Sequence, residues 1–305
     1  MKETPTHLTD IQKWSNYVRI YTEAILGSSA SGNRPEHKEG RNRNIAAATQ
    51  KTAKNILIFS PHPDDETLTG SLALRLMHEG GHRIINISMT YGSNPARRKI
   101  RQQEQKSACE VLGFECVPVI EPDAFDRLNL KNEDHGGSPW EEKRQTLVEI
   151  LKGYAPELVI FPHNQDKHKT HIATNQLVRD ALMAHTASGK QILVVETEFW
   201  HPLYEPNLLV EAAPENVARM CAALACHETE MQRHPFHLFL PARLLDNTRR
   251  CSEFFSGFGA DLPEILFSEV YRLRRIVNGS IEDTTRKMVV SAGTPINIKA
   301  FHDLF

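Results

Sequence analysis

Asn55-Ile56-Leu57-Ile58-Phe59-Ser60-Pro61-His62-Pro63-Asp64-Asp65-Glu66-Thr67 is the stretch that decides how this chain folds. Its first six residues are apolar almost throughout, as in a strand covered on both faces, and the next seven form a turn with three consecutive acids. A buried strand that ends in a polar turn and leads into a helix opens a βα unit. Four more apolar runs follow, at Arg83–Met89, Cys116–Ile120, Leu158–Phe161 and Gln191–Thr197, with helix-length segments between them. Leu68, Leu72 and Leu76 predict a helix over Thr67–His78 that stops at Gly80-Gly81. Asn94-Pro95 caps and opens a second helix, which runs to Leu112 and ends at Gly113. Ser138-Pro139-Trp140-Glu141 is a capping box that opens a third, running to about Lys152. Thr170–His185 and Pro214–His234 predict two more helices, and Glu269–Arg275 a further strand. The pattern predicts an α/β fold, Rossmann-like, with a mostly parallel sheet and helices on both faces.

The chain has 305 residues, of which 40% are hydrophobic, enough for a sizeable core. Residues 1–50 read as an N-terminal helix (Ile11–Leu26) and a flexible linker rich in Gly, Ser and charge; 51–278 form the principal domain, and 279–305 a C-terminal extension. Lys+Arg 36 against Asp+Glu 38 leaves a net charge of −2, too little cationic field for nucleic acid or an anionic membrane. No apolar run spans a membrane, and Met1-Lys2-Glu3-Thr4-Pro5 opens without a signal-peptide core, so a cytoplasmic location is expected. The five cysteines form no C-x-x-C pair. Histidine is abundant, at 15 residues, and imidazole is the commonest metal ligand.

In open parallel sheets, ligands bind beyond the carboxyl ends of the strands. Two strand ends here carry metal-capable groups: His62-Pro63-Asp64-Asp65-Glu66 after the first strand, and Asp166-Lys167-His168-Lys169-Thr170-His171 after Leu158–Phe161. His168 and His171 share a face if a helix has already begun. A catalytic zinc site needs three nitrogen or oxygen ligands and an open position, which His62, Asp65 and His171 can supply. Asp64 is then free to act as general base toward metal-activated water, and His168 as general acid or oxyanion-stabilising cation. Each loop also has a plainer explanation. Acids are favoured at helix N-termini, and histidines are common in polar loops.

These residues resemble the PIG-L/LmbE-like family of zinc-dependent N-deacetylases, the GlcNAc-type de-N-acetylases. The first family motif is matched by Pro61 to Glu66 with Gly70, and the second by Asp166, His168 and His171. Weaker features are matched by Arg101, Glu104, Ala108 and Leu112-Gly113, by Ala223 to Glu230, and by Glu269 before Tyr271. The resemblance covers roughly residues 54 to 275 and implies an LmbE-like three-layer sandwich holding one Zn2+ per chain. It implies His62, Asp65 and His171 as metal ligands, Asp64 and His168 as catalytic groups, and Arg101 and His227 as substrate-binding residues. Thr170 stands where the family usually has an aspartate paired with the catalytic histidine. Asp166, placed behind the ligands, or Asp123 would have to substitute. Trp200 follows a strand end and is expected at the substrate pocket.

The expected activity is removal of an N-acetyl group from an amino sugar or sugar conjugate, with that N-acetylated molecule as partner, no nucleic acid, and a homo-oligomer left open. Two alternatives stand beside it. One is another metal-dependent hydrolase, a phosphoesterase with magnesium on Asp64, Asp65 and Glu66. The other is a catalytically decayed sugar-binding module, for which Thr170 would be the mark.

Overall fold

The computed structural model describes residues 6–27, 53–130, 138–259 and 265–305. The linker expected before residue 50 lies outside them, as do the first five residues. The elements in chain order are α1 (Thr6–Gly27), β1 (Asn55–Ser60), α2 (Asp65–Leu68), α3 (Ser71–Gly80), β2 (Arg83–Ser88), α4 (Pro95–Leu112), β3 (Glu115–Pro118), α5 (Ser138–Tyr154), β4 (Leu158–Pro162), α6 (Lys169–Thr186), β5 (Gln191–Thr197), β6 (Leu208–Glu211), α7 (Pro214–Ala225), α8 (Glu228–Met231), α9 (Phe236–Ser256), β7 (Ser268–Val277), β8 (Ser280–Glu282), β9 (Met288–Val290) and α10 (Ile298–His302).

The sheet runs β3-β2-β1-β4-β5-β7-β6-β9, with β8 paired to β7. Strands β1 to β5 run parallel to one another, whereas β7 runs antiparallel to β5 and β6. Both faces are covered, and the alternation of side chains along a strand shows it. Ile56 and Ile58 of β1 enter the core shared with α1, α3, α4, α7 and α9, while Leu57 and Phe59 enter the core shared with α5 and α6. The result is the expected three-layer α/β arrangement. Strand order reverses at β1, whose neighbours are β2 on one side and β4 on the other. That switch point leaves a crevice between the loops following β1 and β4, the two loops the sequence marks out.

Two expected helices are broken. The predicted Thr67–His78 helix is split at Thr69-Gly70 into α2 and α3. The amide donors opening α3 are satisfied from β7: Ser71 N donates to Glu269 Oε2 (2.9 Å) and Leu72 N to the Tyr271 hydroxyl (3.1 Å). The leucine spacing continues across the break, so periodicity does not reveal it. Pro214–His234 is likewise interrupted at Cys226-His227, between α7 and α8.

The two ends of the chain take part in the same core. Trp14 and Val18 of α1 are buried against α7, and the Tyr17 hydroxyl donates to Leu238 O of α9 (2.6 Å). Past residue 278, β9 pairs with β6. Arg75 of α3, 1% exposed, donates to the carbonyls of Glu211, Val290, Ser291 and Thr294 as well as to Glu79. No described helix is long and apolar enough to cross a membrane.

Candidate active site

The turn after β1 is built around a buried carboxylate. Glu66 is wholly buried; its Oε2 accepts from Asp64 N (3.1 Å) and Gln105 Nε2 (2.9 Å), and its Oε1 lies 2.9 Å from His227 Nε2. Asp64 has φ 108°, a left-handed conformation that costs a non-glycine residue of order 1–3 kcal/mol and persists where the surroundings enforce it. The hold of Glu66 on the Asp64 amide is one such constraint. The hold of Arg101, which donates to Pro63 O (2.8 Å) and lies 3.9 Å from Asp64 Oδ1, is another. Gly92 makes room for that arginine, since a Cβ there would meet Arg101 Nη1 at 2.6 Å.

Across the crevice, α6 begins immediately after His168, whose backbone N donates to Asp166 Oδ1 (2.7 Å). The other Asp166 oxygen accepts from Trp200 N (3.1 Å) and lies 3.7 Å from His171 Nδ1. This carboxylate thus fixes the loop backbone and stands behind His171. It does not pair with the ring of His168, and Asp123 is not among the cavity residues. The His168 ring packs instead against His62, His171 and Trp200, with centroids 4.8, 5.0 and 6.5 Å away.

The loops meet in a triangle. His62 Nδ1, Asp65 Oδ2 and His171 Nε2 are mutually 3.3 Å apart. Donors bonded at 2.0–2.1 Å to one tetrahedral ion are separated by about 3.3–3.4 Å, so this triangle fits one face of a zinc-like coordination sphere. A looser triad of His62, His168 and His171 has its ligand atoms within 4.8 Å of one another, which brings His168 to the edge of the same site.

Without a cation the charges interact strongly. Burial pushes Asp64 well above the carboxylate range, Asp65 adds to the shift and Arg101 opposes it. Burial also raises Asp65, but His171 and His62 outweigh it and hold Asp65 well below that range. Burial lowers His171, yet Asp65 and Asp166 carry it up to about 9. Burial and the adjacent His62 and His171 bring His168 down to about 4, so its ring is neutral at pH 7.

The cavity over these groups is about 650 Å3. Its polar wall includes Thr90, Gly92, Ser93 and Arg101, while Phe199, Trp200, Phe236, Phe239 and Leu240 form an aromatic and apolar wall. Trp200, 56% exposed, stands on this wall, with its ring 6.2 Å from Phe236. His227 does not: it is 1% exposed, is not among the cavity residues, and has its Nε2 against Glu66. A family-like position therefore serves the support of the turn rather than contact with a ligand. Nor does Glu66 join Asp64 and Asp65 at a common cation position, because its oxygens are committed to Asp64 N, Thr67, Gln105 and His227. That removes the three-carboxylate magnesium cluster from consideration. The residues of α9 that line the cavity, Phe236, Phe239, Leu240 and Arg243, were not anticipated. Pro241 lies inside this helix and masks its helical pattern, and no local cue marks Arg243.

Residues 57–182 match the family profile described as PIG-L, GlcNAc-PI de-N-acetylase. Among solved structures, the 4-carboxy-2-hydroxymuconate hydratase GalB of Pseudomonas putida KT2440 superposes with a TM-score of 0.55 at 17% identity, over 72% of this chain and 95% of that one. The N,N'-diacetylchitobiose deacetylase of Pyrococcus horikoshii gives 0.55 at 16% identity, over 73% and 84%. The conserved protein TT1542 of Thermus thermophilus gives 0.51 at 19% identity, over 72% and 93%. At these identities the likeness establishes the fold. A hydratase and a deacetylase match equally well, so the reaction has to be argued from the site.

Proposed function

We propose that this chain, whose residues 57–182 belong to the PIG-L family, is a zinc-dependent N-deacetylase that hydrolyses the acetamido group of an amino sugar or sugar conjugate. The observation that carries this reading is the 3.3 Å triangle of His62, Asp65 and His171 with the buried Asp64 beside it. Two nitrogens and one oxygen suit zinc better than magnesium, which prefers an all-oxygen shell. Bound there, the ion supplies Lewis-acid chemistry, polarising an amide carbonyl and making water acidic enough to lose a proton near neutrality.

The chain's own groups do the rest. Asp64 takes the proton of the attacking water and passes it to the departing nitrogen, a role suited to a carboxyl whose proton affinity is raised by burial. Its strained backbone is held by Glu66 and Arg101, so it stays oriented toward the cavity floor without a cost of reorganisation. His168 is neutral at pH 7 and contributes one N–H hydrogen bond to the developing oxyanion, which favours this role over that of a cationic acid. Asp166 fixes the loop carrying His168 and places a negative charge 3.7 Å behind His171 Nδ1, a task compatible with threonine at 170. Acetate and a free amine are the products.

The test is acetate release from a panel of N-acetylated sugars by zinc-loaded protein, with metal content measured in parallel. Asp64→Asn is expected to keep the metal and lose turnover. Full activity in that variant would sink the mechanism.

A further inference from the structure

Four arginines line the cavity, and three of them stand within 4.0 Å of a carboxylate: Arg101 at 3.9 Å from Asp64, Arg127 at 3.9 Å from Asp126, and Arg233 at 3.2 Å from Glu230. The fourth, Arg243 of α9, has no such partner. Among the described residues its guanidinium donates only to two backbone carbonyls, Glu198 O (2.5 Å) and Leu68 O (3.5 Å). Glu269, whose charge it senses, directs Oε2 to Ser71 N and the Tyr271 hydroxyl, leaves its buried Oε1 without a hydrogen bond, and is not within ion-pair distance of the guanidinium. A guanidinium has five donors, and a carbonyl dipole does not neutralise its charge, so Arg243 brings unused donors to the cavity with no carboxylate in contact and only the buried Glu269 acting on it from a distance.

The anchors of Arg243 put it at the reacting end. Leu68 lies three residues after Asp65 on the same short helix, and Glu198 precedes Phe199, whose ring is 4.8 Å from that of His171. The charge balance points the same way. The four lining arginines are matched by four lining acids, Asp64, Asp65, Asp126 and Glu230, so a divalent cation leaves the cavity net positive in a chain whose own net charge is −2. A positive cavity in a slightly negative protein selects for anions.

We infer that Arg243 is a specificity-determining residue that binds an anionic substituent, a carboxylate or phosphate, on the N-acylated sugar. The inference rests on the deacetylase reading for the reaction, but the anion contact can be tested apart from it. A charge-assisted contact of this kind is expected to favour an anionic substrate over its neutral counterpart by roughly tenfold or more.

The experiment compares kcat/KM of the zinc-loaded full chain on N-acetylglucosamine, its 1-phosphate and 6-phosphate, and N-acetylmuramic acid, at low and high salt. The same panel is run on Arg243→Met and Arg243→Lys, and calorimetric binding of the preferred anionic sugar is measured on all three proteins. The expected result is a preference for at least one anionic sugar that shrinks with salt, falls roughly tenfold in Arg243→Met and is largely kept in Arg243→Lys. The phosphate and carboxylate arms identify which anion is read. Equal kcat/KM on neutral and anionic sugars, or an unchanged preference in a folded Arg243→Met, overturns the inference while leaving the deacetylase reading in place. Absence of turnover on every sugar, with anion binding that still depends on Arg243, overturns the reaction and leaves the anion site standing. If Arg243→Met does not fold, the salt dependence and the Arg243→Lys comparison decide alone: loss of preference with charge retained counts against the inference.

Discussion

The turn after β1 brings His62, Asp64 and Asp65 to the cavity with its carboxylates largely buried, whereas the loop after β4 brings His168, Thr170 and His171, of which only His171 is buried. Asp64, Asp65 and Glu66 are 6%, 5% and 0% exposed and are held by Arg101 and Gln105 of α4 and by His227 from the turn between α7 and α8. Of the second loop's side chains, Asp166 and His171 are buried, His171 at the cavity wall, while His168 and Thr170 are the more exposed. The difference separates two tasks. Carboxylates must be held out of water to have shifted proton affinities, so their turn is rigid and supported from behind. A neutral imidazole that meets a substrate needs access, so its loop is anchored behind the ring, by the Asp166 carboxylate and by His163 against His201 O, and leaves His168 exposed.

If this division holds, damage to the first turn should cost more than damage to the second. The largest effect is expected for Asp64→Asn, a loss of roughly 10²–10⁴ in kcat with metal content retained, read by acetate release and metal analysis. Next comes Glu66→Ala, which leaves His227 buried without its partner and the Asp64 amide unsupported. It should lower unfolding stability by roughly 3 kcal/mol or more in denaturant titration, and activity with it. An unchanged denaturation midpoint would mean that the turn does not depend on its buried acid.

His171 allows a comparison by pH. Its raised value, about 9 in the metal-free protein, means that the cation displaces a proton, so binding at pH 7 should release about one proton, measured by calorimetry in buffers of different ionisation heat. Affinity should rise with pH and level off above about 9. The same shift predicts the opposite trend for stability without metal. The folded state holds the His171 proton more tightly than the unfolded chain, so this contribution is full below about 6.5 and is lost as pH rises through about 9. A flat metal-free melting profile across that window would contradict the Asp65–His171 pairing. The smallest effect is expected for Trp200→Ala on the exposed rim, a rise in KM of a few fold with kcat nearly unchanged.

Much of this was legible in the sequence where the information is local. The parallel strands announce themselves because a strand buried on both faces must be apolar throughout, and His62, Asp64, Asp65, His168 and His171 sit within two short windows at strand ends. What was not legible depends on distance along the chain. Glu66 meets His227 across 161 positions, and the break before Ser71 exists because Glu269, 198 positions away, caps the second piece. Strands β6 and β9 are four and three residues long, too short for periodicity to register, and Pro241 within α9 reads as a helix breaker although the helix runs through it.

Arg75 has a consequence for how the molecule comes into being. Its side chain lies in the core beside the first βα units, yet three of the carbonyls that receive it, at Val290, Ser291 and Thr294, are made more than two hundred residues later. During synthesis the parallel half of the sheet can collapse early, but it then carries a buried cation that has only Glu79 of its own helix as partner and lacks its carbonyl acceptors. The sheet is therefore expected to become protease-resistant only once residues 288–294 have left the ribosome, and chains stalled short of that point should remain open to cleavage near α3.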